Sequence, residues 1–218
     1  MSLILYGHRF SSYTQKVLIA LDENGTPFEF RSVWPETPDT ADWLRRWPLR
    51  KFPLLVDGER NVAETSIIIE YLQLAHPGPM RLLPADPVAT LEVRFLDRFF
   101  DLHVMNAAQH AVDGALTGDP VRRQEGLKMA VEKLERAYGW LEVQLAGRSW
   151  AAGADFKLAD CAAAPSLFYA DWTHPIPETC PVLRAYRTRL LKRPSFARAV
   201  DQARPFRPLF PLGAPDRD

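Results

Sequence analysis

The stretch PLLVDGERNVAETSIIIEYL, residues 53–72, decides how the first part of this 218-residue chain folds. Two short apolar runs flank Asp57-Gly58, a dipeptide suited to the positive backbone angles of a tight turn, and so predict an antiparallel hairpin. Directly after it an acid and a hydroxyl, Glu64 and Thr65, open an apolar-faced run that stops at Pro77-Gly78-Pro79. That pattern predicts a helix whose amino terminus lies beside the hairpin.

Upstream, LILY at residues 3–6 is a compact apolar run bounded by Gly7. Between Ser12 and Asn24 the residues Val17, Leu18, Ala20 and Leu21 recur at helical spacing, and FEFRSV at 28–33 alternates with period two. Strand, helix and strand follow one another, as parallel pairing with a crossover helix requires. A polar, proline-rich loop from Pro35 to Asp42 leads on to the hairpin. The order β-α-β, then β-β-α, describes a thioredoxin-like α/β domain.

From Pro84 onward strand patterns vanish. Leu91, Phe95, Leu96, Phe99, Leu102 and Met105 stand at helical spacing, as do Leu127, Val131, Leu134, Tyr138, Leu141 and Leu145, predicting two long amphipathic helices. LADCAAAPSLFYADW is apolar nearly all round, as a central buried helix must be, and two shorter helices follow over 181–193 and 194–203. Prolines 77, 79, 84 and 87 mark a boundary, so the expected organisation is an α/β domain over 1–78, an all-α bundle over 86–205 and a Pro-rich tail over 206–218. The tail's prolines argue against helix, and its phenylalanines predict that it lies against the body.

Composition narrows the function. Lys+Arg and Asp+Glu both total 27, so no net field draws the chain to nucleic acid or to an anionic membrane. A small-molecule partner is expected. No apolar run approaches the ~20 residues that span a bilayer, and MSLILYGHRF lacks the basic leader and cleavage site of a signal peptide, which predicts a cytoplasmic protein. The two cysteines, Cys161 and Cys180, form no Cys-x-x-Cys pair, arguing against a disulfide scaffold and a zinc ribbon.

With the domain order, the stretches LYGHRFSSYTQKVLIAL, PLRKFPLLVDG, AETSIIIEYL and LADCAAAPSLFYA resemble the cytosolic glutathione transferases, in their serine-using, theta-, delta- and zeta-like branch. The resemblance covers nearly the whole chain. It implies an enzyme that binds glutathione as co-substrate, needs no metal, works as a homodimer and transfers the tripeptide to a small hydrophobic electrophile.

The resemblance also implies roles for particular residues. A cis Phe52–Pro53 peptide turns the Phe52 backbone outward to pair with the cysteinyl part of glutathione. Glu64 and Thr65, at a helix end whose free N–H groups and positive dipole suit an anion, hold the γ-glutamyl part. Lys51, or equally Arg50, meets the glycyl carboxylate. In the pattern Ser-x-x-x-x-[KR]-V, Ser11 takes the position of the activating serine. Its hydroxyl donates to the glutathione sulfur and lowers the thiol pKa from about 8.5 toward neutrality, so the thiolate becomes the nucleophile.

Ser12 and Tyr6 remain rivals for that hydroxyl. Tyr6 falls inside the LILY strand, where an aromatic suits the core. No cysteine occurs before residue 161, which argues against a mixed-disulfide mechanism. Gly-x-Ser-x-Gly is absent and His8 is not assigned as a base, which leaves a serine-hydrolase reading without support. For the electrophile, Phe99, His103, Asn106 and His110 share one predicted helical stripe, a mixture of aromatic and polar groups of which the first three are candidates to line the pocket. Histidines seven residues apart are roughly 10 Å apart on a helix, too far for one metal ion. Two other functions remain open: a glutathione-dependent peroxidase, reductase or isomerase on the same fold, and a non-catalytic ligand-binding or protein-interaction module.

In the buried helix Asp160 matches the family's folding motif, but Lys157 stands where a capping hydroxyl is usual. The reciprocal capping box is therefore not expected, although Asp160 can accept from its own turn.

Overall fold

The computed structural model describes residues 3–218. Strand β1 (Leu3–Gly7), helix α1 (Ser12–Glu23) and β2 (Phe28–Ser32) are followed by α2 (Pro38–Arg46), the hairpin β3 (Leu54–Asp57) and β4 (Arg60–Ala63), and α3 (Thr65–Ala75). The sheet runs β2-β1-β3-β4, with β1 parallel to β2 and the other pairs antiparallel. Strand side chains alternate between faces. Leu3, Leu5, Leu55 and Val62 therefore pack with α1 and α3, whereas Tyr6, Leu54 and Val56 point the other way, toward Val33 and Trp43.

Helix α2 was not expected, since its sequence reads as loop. Pro38 opens it at a position that needs no N–H donor, and the Thr37 N–H donates to Thr40 Oγ1 at 2.9 Å. Only Thr40 and Trp43 of this helix are buried, so its apolar signal is too short to register as a period.

The helical half comprises α4 (Pro87–Phe99), a π-helical segment (Phe100–Met105), α5 (Asn106–Leu116), α6 (Pro120–Gln144), α7 (Leu158–Thr173), α8 (Pro181–Leu191) and α9 (Pro194–Ala203). Every α7 residue from Leu158 to Trp172 is buried, as its sequence predicts. Gly114 and Gly126 let α5 and α6 approach closely: a Cβ on Gly126 would stand 2.3 Å from the His110 carbonyl oxygen, which no side chain tolerates. No helix among the described residues is long and apolar enough to cross a membrane.

Asp160 works as the sequence allows. Its carboxylate accepts from the Lys157 N–H (2.8 Å), the Ala151 N–H (2.8 Å) and the Tyr186 hydroxyl (2.5 Å), while the Lys157 ammonium, which has no lone pair to accept with, donates to the Arg81 carbonyl at 3.1 Å. Half of a capping box is formed. Burial pushes the Asp160 carboxyl up to about 6, against the downward pull of these three donors.

The tail departs from expectation in part. Residues Arg204–Leu209 form a 3₁₀ helix, because a proline near a helix start gives up an N–H that would be unpaired anyway. Phe210 then packs against Trp172 with ring centroids 5.4 Å apart, so the tail does lie on the body.

Candidate active site

A cleft of about 1040 Å³ opens between the sheet domain and the helices. Ser11, Lys51, Phe52, Pro53, Glu64, Thr65 and Asn106 all line it. These positions are scattered through the sequence, and the fold brings them together.

Ser11 is the N-cap of α1, with extended backbone (φ −79°, ψ 126°) and its Oγ accepting from the Thr14 N–H at 3.3 Å. An N-cap uses its hydroxyl oxygen as acceptor, which leaves the hydroxyl proton to be donated into the cleft. Ser12 also lines the cleft but is buried. Tyr6 does not reach it. Fully buried on the opposite face of the sheet, it donates to Asp42 and accepts from Arg31 Nη1 at 3.0 Å, which removes it as a rival to Ser11.

The Phe52–Pro53 peptide is cis. Phe52 precedes β3, and among the described residues its backbone takes no hydrogen bond, so its N–H and C=O are available to a ligand in the cleft. Arg50 and Lys51, both exposed, stand at the same rim.

Glu64 precedes α3 with φ 67° and ψ 119°, a conformation that costs an ordinary residue on the order of 1–3 kcal/mol. Its side chain makes no cap bond to the helix. The first N–H groups of α3 are thus left without a side-chain acceptor, at the positive end of the helix dipole and facing the cleft. That geometry suits a carboxylate.

At the floor of the cleft, where Ser66, Asp97 and Asp101 are lining residues, lies a largely buried ionic cluster. Lys16 of α1 and Asp97 of α4 are each 1% exposed; Lys16 Nζ reaches Asp97 Oδ1 and Asp101 Oδ2 at 2.7 Å each and donates to Ser66 Oγ at 3.1 Å, and Ser66 donates to Asp97 at 2.6 Å. Burial pushes the Asp101 carboxyl up, with Lys16 opposing. The cluster ties α1, α3, α4 and the π-helical segment together where the two halves of the chain meet.

Of the predicted stripe for a second substrate, only Asn106 lines the cleft. Phe99 stacks on Trp140 at 4.2 Å, His103 lies against Phe99 at 5.0 Å, and His110 Nε2 pairs with Lys133 Nζ at 2.7 Å. Those three assignments are corrected. The expected stripe assumed 3.6 residues per turn, but the wider turns of the π segment rotate Asn106 away from the face that carries Phe99. The apolar wall is instead made by Phe10, Met105, Val112, Leu209 and Phe210, with Tyr13 at the start of α1. No grouping of three or more potential metal ligands occurs among the described residues.

Comparison with known proteins identifies the family. Residues 5–80 match the family profile of the glutathione S-transferase N-terminal domain, and residues 107–189 that of the C-terminal domain. A glutathione S-transferase from Methylobacterium radiotolerans, solved with glutathione sulfonate, is 31% identical, with 92% of this chain and 95% of that one covered and a TM-score of 0.77. A probable maleylacetoacetate isomerase of Vibrio cholerae is 28% identical over 94% of this chain and 98% of its own length. A stringent starvation protein A homolog of Haemophilus ducreyi is 26% identical, covering 92% and 91%. The chain belongs to the glutathione S-transferase family.

Proposed function

We propose that this protein binds glutathione along the Phe52 edge, ionises its thiol beside Ser11 and adds the thiolate to a hydrophobic electrophile lodged against Tyr13, Asn106 and the tail. One observation carries the reading: the free helix end at Glu64–Thr65, the unpaired Phe52 backbone and the Ser11 hydroxyl line a single cleft, as anchoring and activating one tripeptide requires. Glu64 and Thr65 take the γ-glutamyl end, and Lys51 or Arg50 the glycyl carboxylate. The hydroxyl at the α1 amino terminus stabilises the sulfur anion by hydrogen bond and helix dipole.

The test is the ultraviolet thiolate absorbance of bound glutathione across pH, with an S-alkyl analogue as binding control. The bound thiol is expected to titrate about 1–2 units below the free value of about 8.5. Binding without that shift would reject the activation chemistry and leave a glutathione-dependent binder. Glutathione-assisted isomerisation is a second reading, favoured by the end-to-end similarity to the Vibrio protein; it uses the same thiolate and is told apart by glutathione returning unconsumed.

A homodimer is part of the proposal. Leu74 of α3 (82% exposed) and Val88, Leu91 and Phe95 of α4 (74%, 63% and 55%) leave apolar side chains uncovered, Leu91 and Phe95 being members of the stripe expected to pack inward. A second copy would cover them. Sedimentation is expected to give twice the chain mass, and Leu91→Glu with Phe95→Glu to give the monomer; a wild-type monomer at micromolar concentration would discard the dimer.

A further inference from the structure

A second, smaller pocket, of about 400 Å³, lies at the carboxyl end of α7 and shares no lining residue with the cleft. Its walls come from α7 (Asp171), the turn after it (Pro175 and Ile176), α8 (Arg184 and Arg187) and the tail (Arg217). Three guanidiniums thus stand against one carboxylate, and that carboxylate is already engaged. Asp171 accepts from the Ile176 N–H at 2.9 Å and from Arg217 Nη1, and its backbone carbonyl accepts from Arg217 Nη2 at 3.0 Å. The carboxylate of Asp218 pairs with Arg204 and Arg207, neither of which lines the pocket.

Arg187 is left short of acceptors. Its side chain is only 11% exposed, yet its one hydrogen bond among the described residues runs from Nη1 to the Asp218 carbonyl at 3.4 Å. Nε and Nη2 are buried and make no hydrogen bond, Nη2 standing 3.3 Å from Asp171 Oδ2 without the alignment of one. Burial pulls the guanidinium pKa down, with Asp171 opposing, as expected of a buried cation with too little compensation. Arg184 is half exposed and meets only Glu178, at 3.9 Å, a solvated contact of little strength. The lining therefore carries two positive charges in excess.

We propose that this pocket binds the phosphate group of a small metabolite, with Arg184 and Arg187 as its two forks. The site is separate from glutathione transfer and does not depend on it. A phosphate monoester carries a charge of about −1.5 to −2 near pH 7, which matches the excess on the lining, whereas a monocarboxylate balances half of it. Its oxygens only accept and guanidiniums only donate, and the planar fork of arginine meets two such oxygens at once. Asp171 holds Arg217 and disfavours an anion beside itself, which seats the phosphate toward Arg184. The volume is that of a small-molecule site and exceeds what the phosphate alone fills, so an organic body fits against Pro175 and Ile176. No bond forms or breaks there; the residues hold the ligand.

The experiment is calorimetry on the full chain with phenyl phosphate, benzoate and inorganic phosphate. A saturating S-alkyl glutathione analogue fills the cleft, which has an anion-binding helix end of its own, and the variants locate the phosphate whether or not the analogue binds. Phenyl phosphate is expected to bind saturably, once per chain, more tightly than benzoate, and to weaken as salt is raised. Loss of a charge-assisted hydrogen bond costs about 10- to 100-fold in affinity. Arg187→Gln is accordingly expected to weaken phenyl phosphate by that factor, with melting followed in parallel because the side chain is largely buried. Arg184→Gln, at an exposed position that leaves the fold intact, is expected to weaken it about tenfold. Tighter binding of phenyl phosphate than of inorganic phosphate supports an ester as the ligand, and equal affinity supports the site with the free ion in it. Benzoate binding as tightly as phenyl phosphate, affinity unmoved by Arg184→Gln, or no saturable phosphate binding to wild type would each overturn the proposal.

Discussion

Ser11→Ala is expected to lower kcat/KM for glutathione addition by about 100- to 1000-fold, the usual consequence of removing one preorganised donor to a catalytic anion. The bound thiol should titrate near its free value of about 8.5, while the S-alkyl analogue binds as before. Because Ser11 also caps α1, the same change costs about 0.5–2 kcal/mol of stability, and melting must be followed in parallel. Ser11→Thr keeps a hydroxyl at the cap and should recover most of the rate. Ser12→Ala is the discriminating companion, since Ser12 lines the same cleft. Full activity in Ser11→Ala with loss in Ser12→Ala would transfer the role to the neighbour.

The largest stability effect is expected at Lys16. Its ammonium stands between two buried carboxylates with no solvent to replace it, so Lys16→Met leaves Asp97 and Asp101 facing one another uncompensated. Breaking a buried ion pair from one side costs about 3–5 kcal/mol. In a chain of this size that corresponds to a fall in Tm of roughly 6–20 °C. Adding Asp97→Asn and Asp101→Asn should recover much of the loss, because neutral amides remove the unpaired charge. The pH dependence has a definite sign. A carboxyl whose folded pKa is raised, as burial raises that of Asp101, contributes stability below its unfolded pKa and loses it as pH rises through the folded one. Without the lysine opposing that rise, the variant should be damaged more at neutral pH than in mild acid. A melting temperature within about 2 °C of wild type would show that the cluster is not the fastening it is taken to be.

Local chemistry explains which features were legible before folding. Asp57-Gly58 is a turn wherever it occurs, so the hairpin could be read directly, and the Gly25 stop and period-two FEFRSV framed the β-α-β unit just as plainly. LADCAAAPSLFYADW carries too little polar surface to lie anywhere but inside. Ser11 at a strand-to-helix junction and Glu64-Thr65 at a helix start announce themselves because caps and anion sites use side chains adjacent in sequence to the backbone they serve.

What could not be read depends on partners far away in the chain. Helix α2 takes its place from one buried tryptophan under the sheet and has almost no periodic signal. The π-helical segment obeys a spacing that a 3.6-residue period hides, and through it Asn106 enters the cleft while Phe99 stacks on Trp140 and His103 lies against Phe99. Tyr13 stands 93 positions from the acceptor of its hydroxyl, and Phe210 closes the wall from the tail. Periodicity and capping are properties of a few consecutive residues and survive in the bare sequence. The meeting of α1, the π segment and the tail around one volume arises only when distant apolar surfaces are buried together, and no short window of residues contains it.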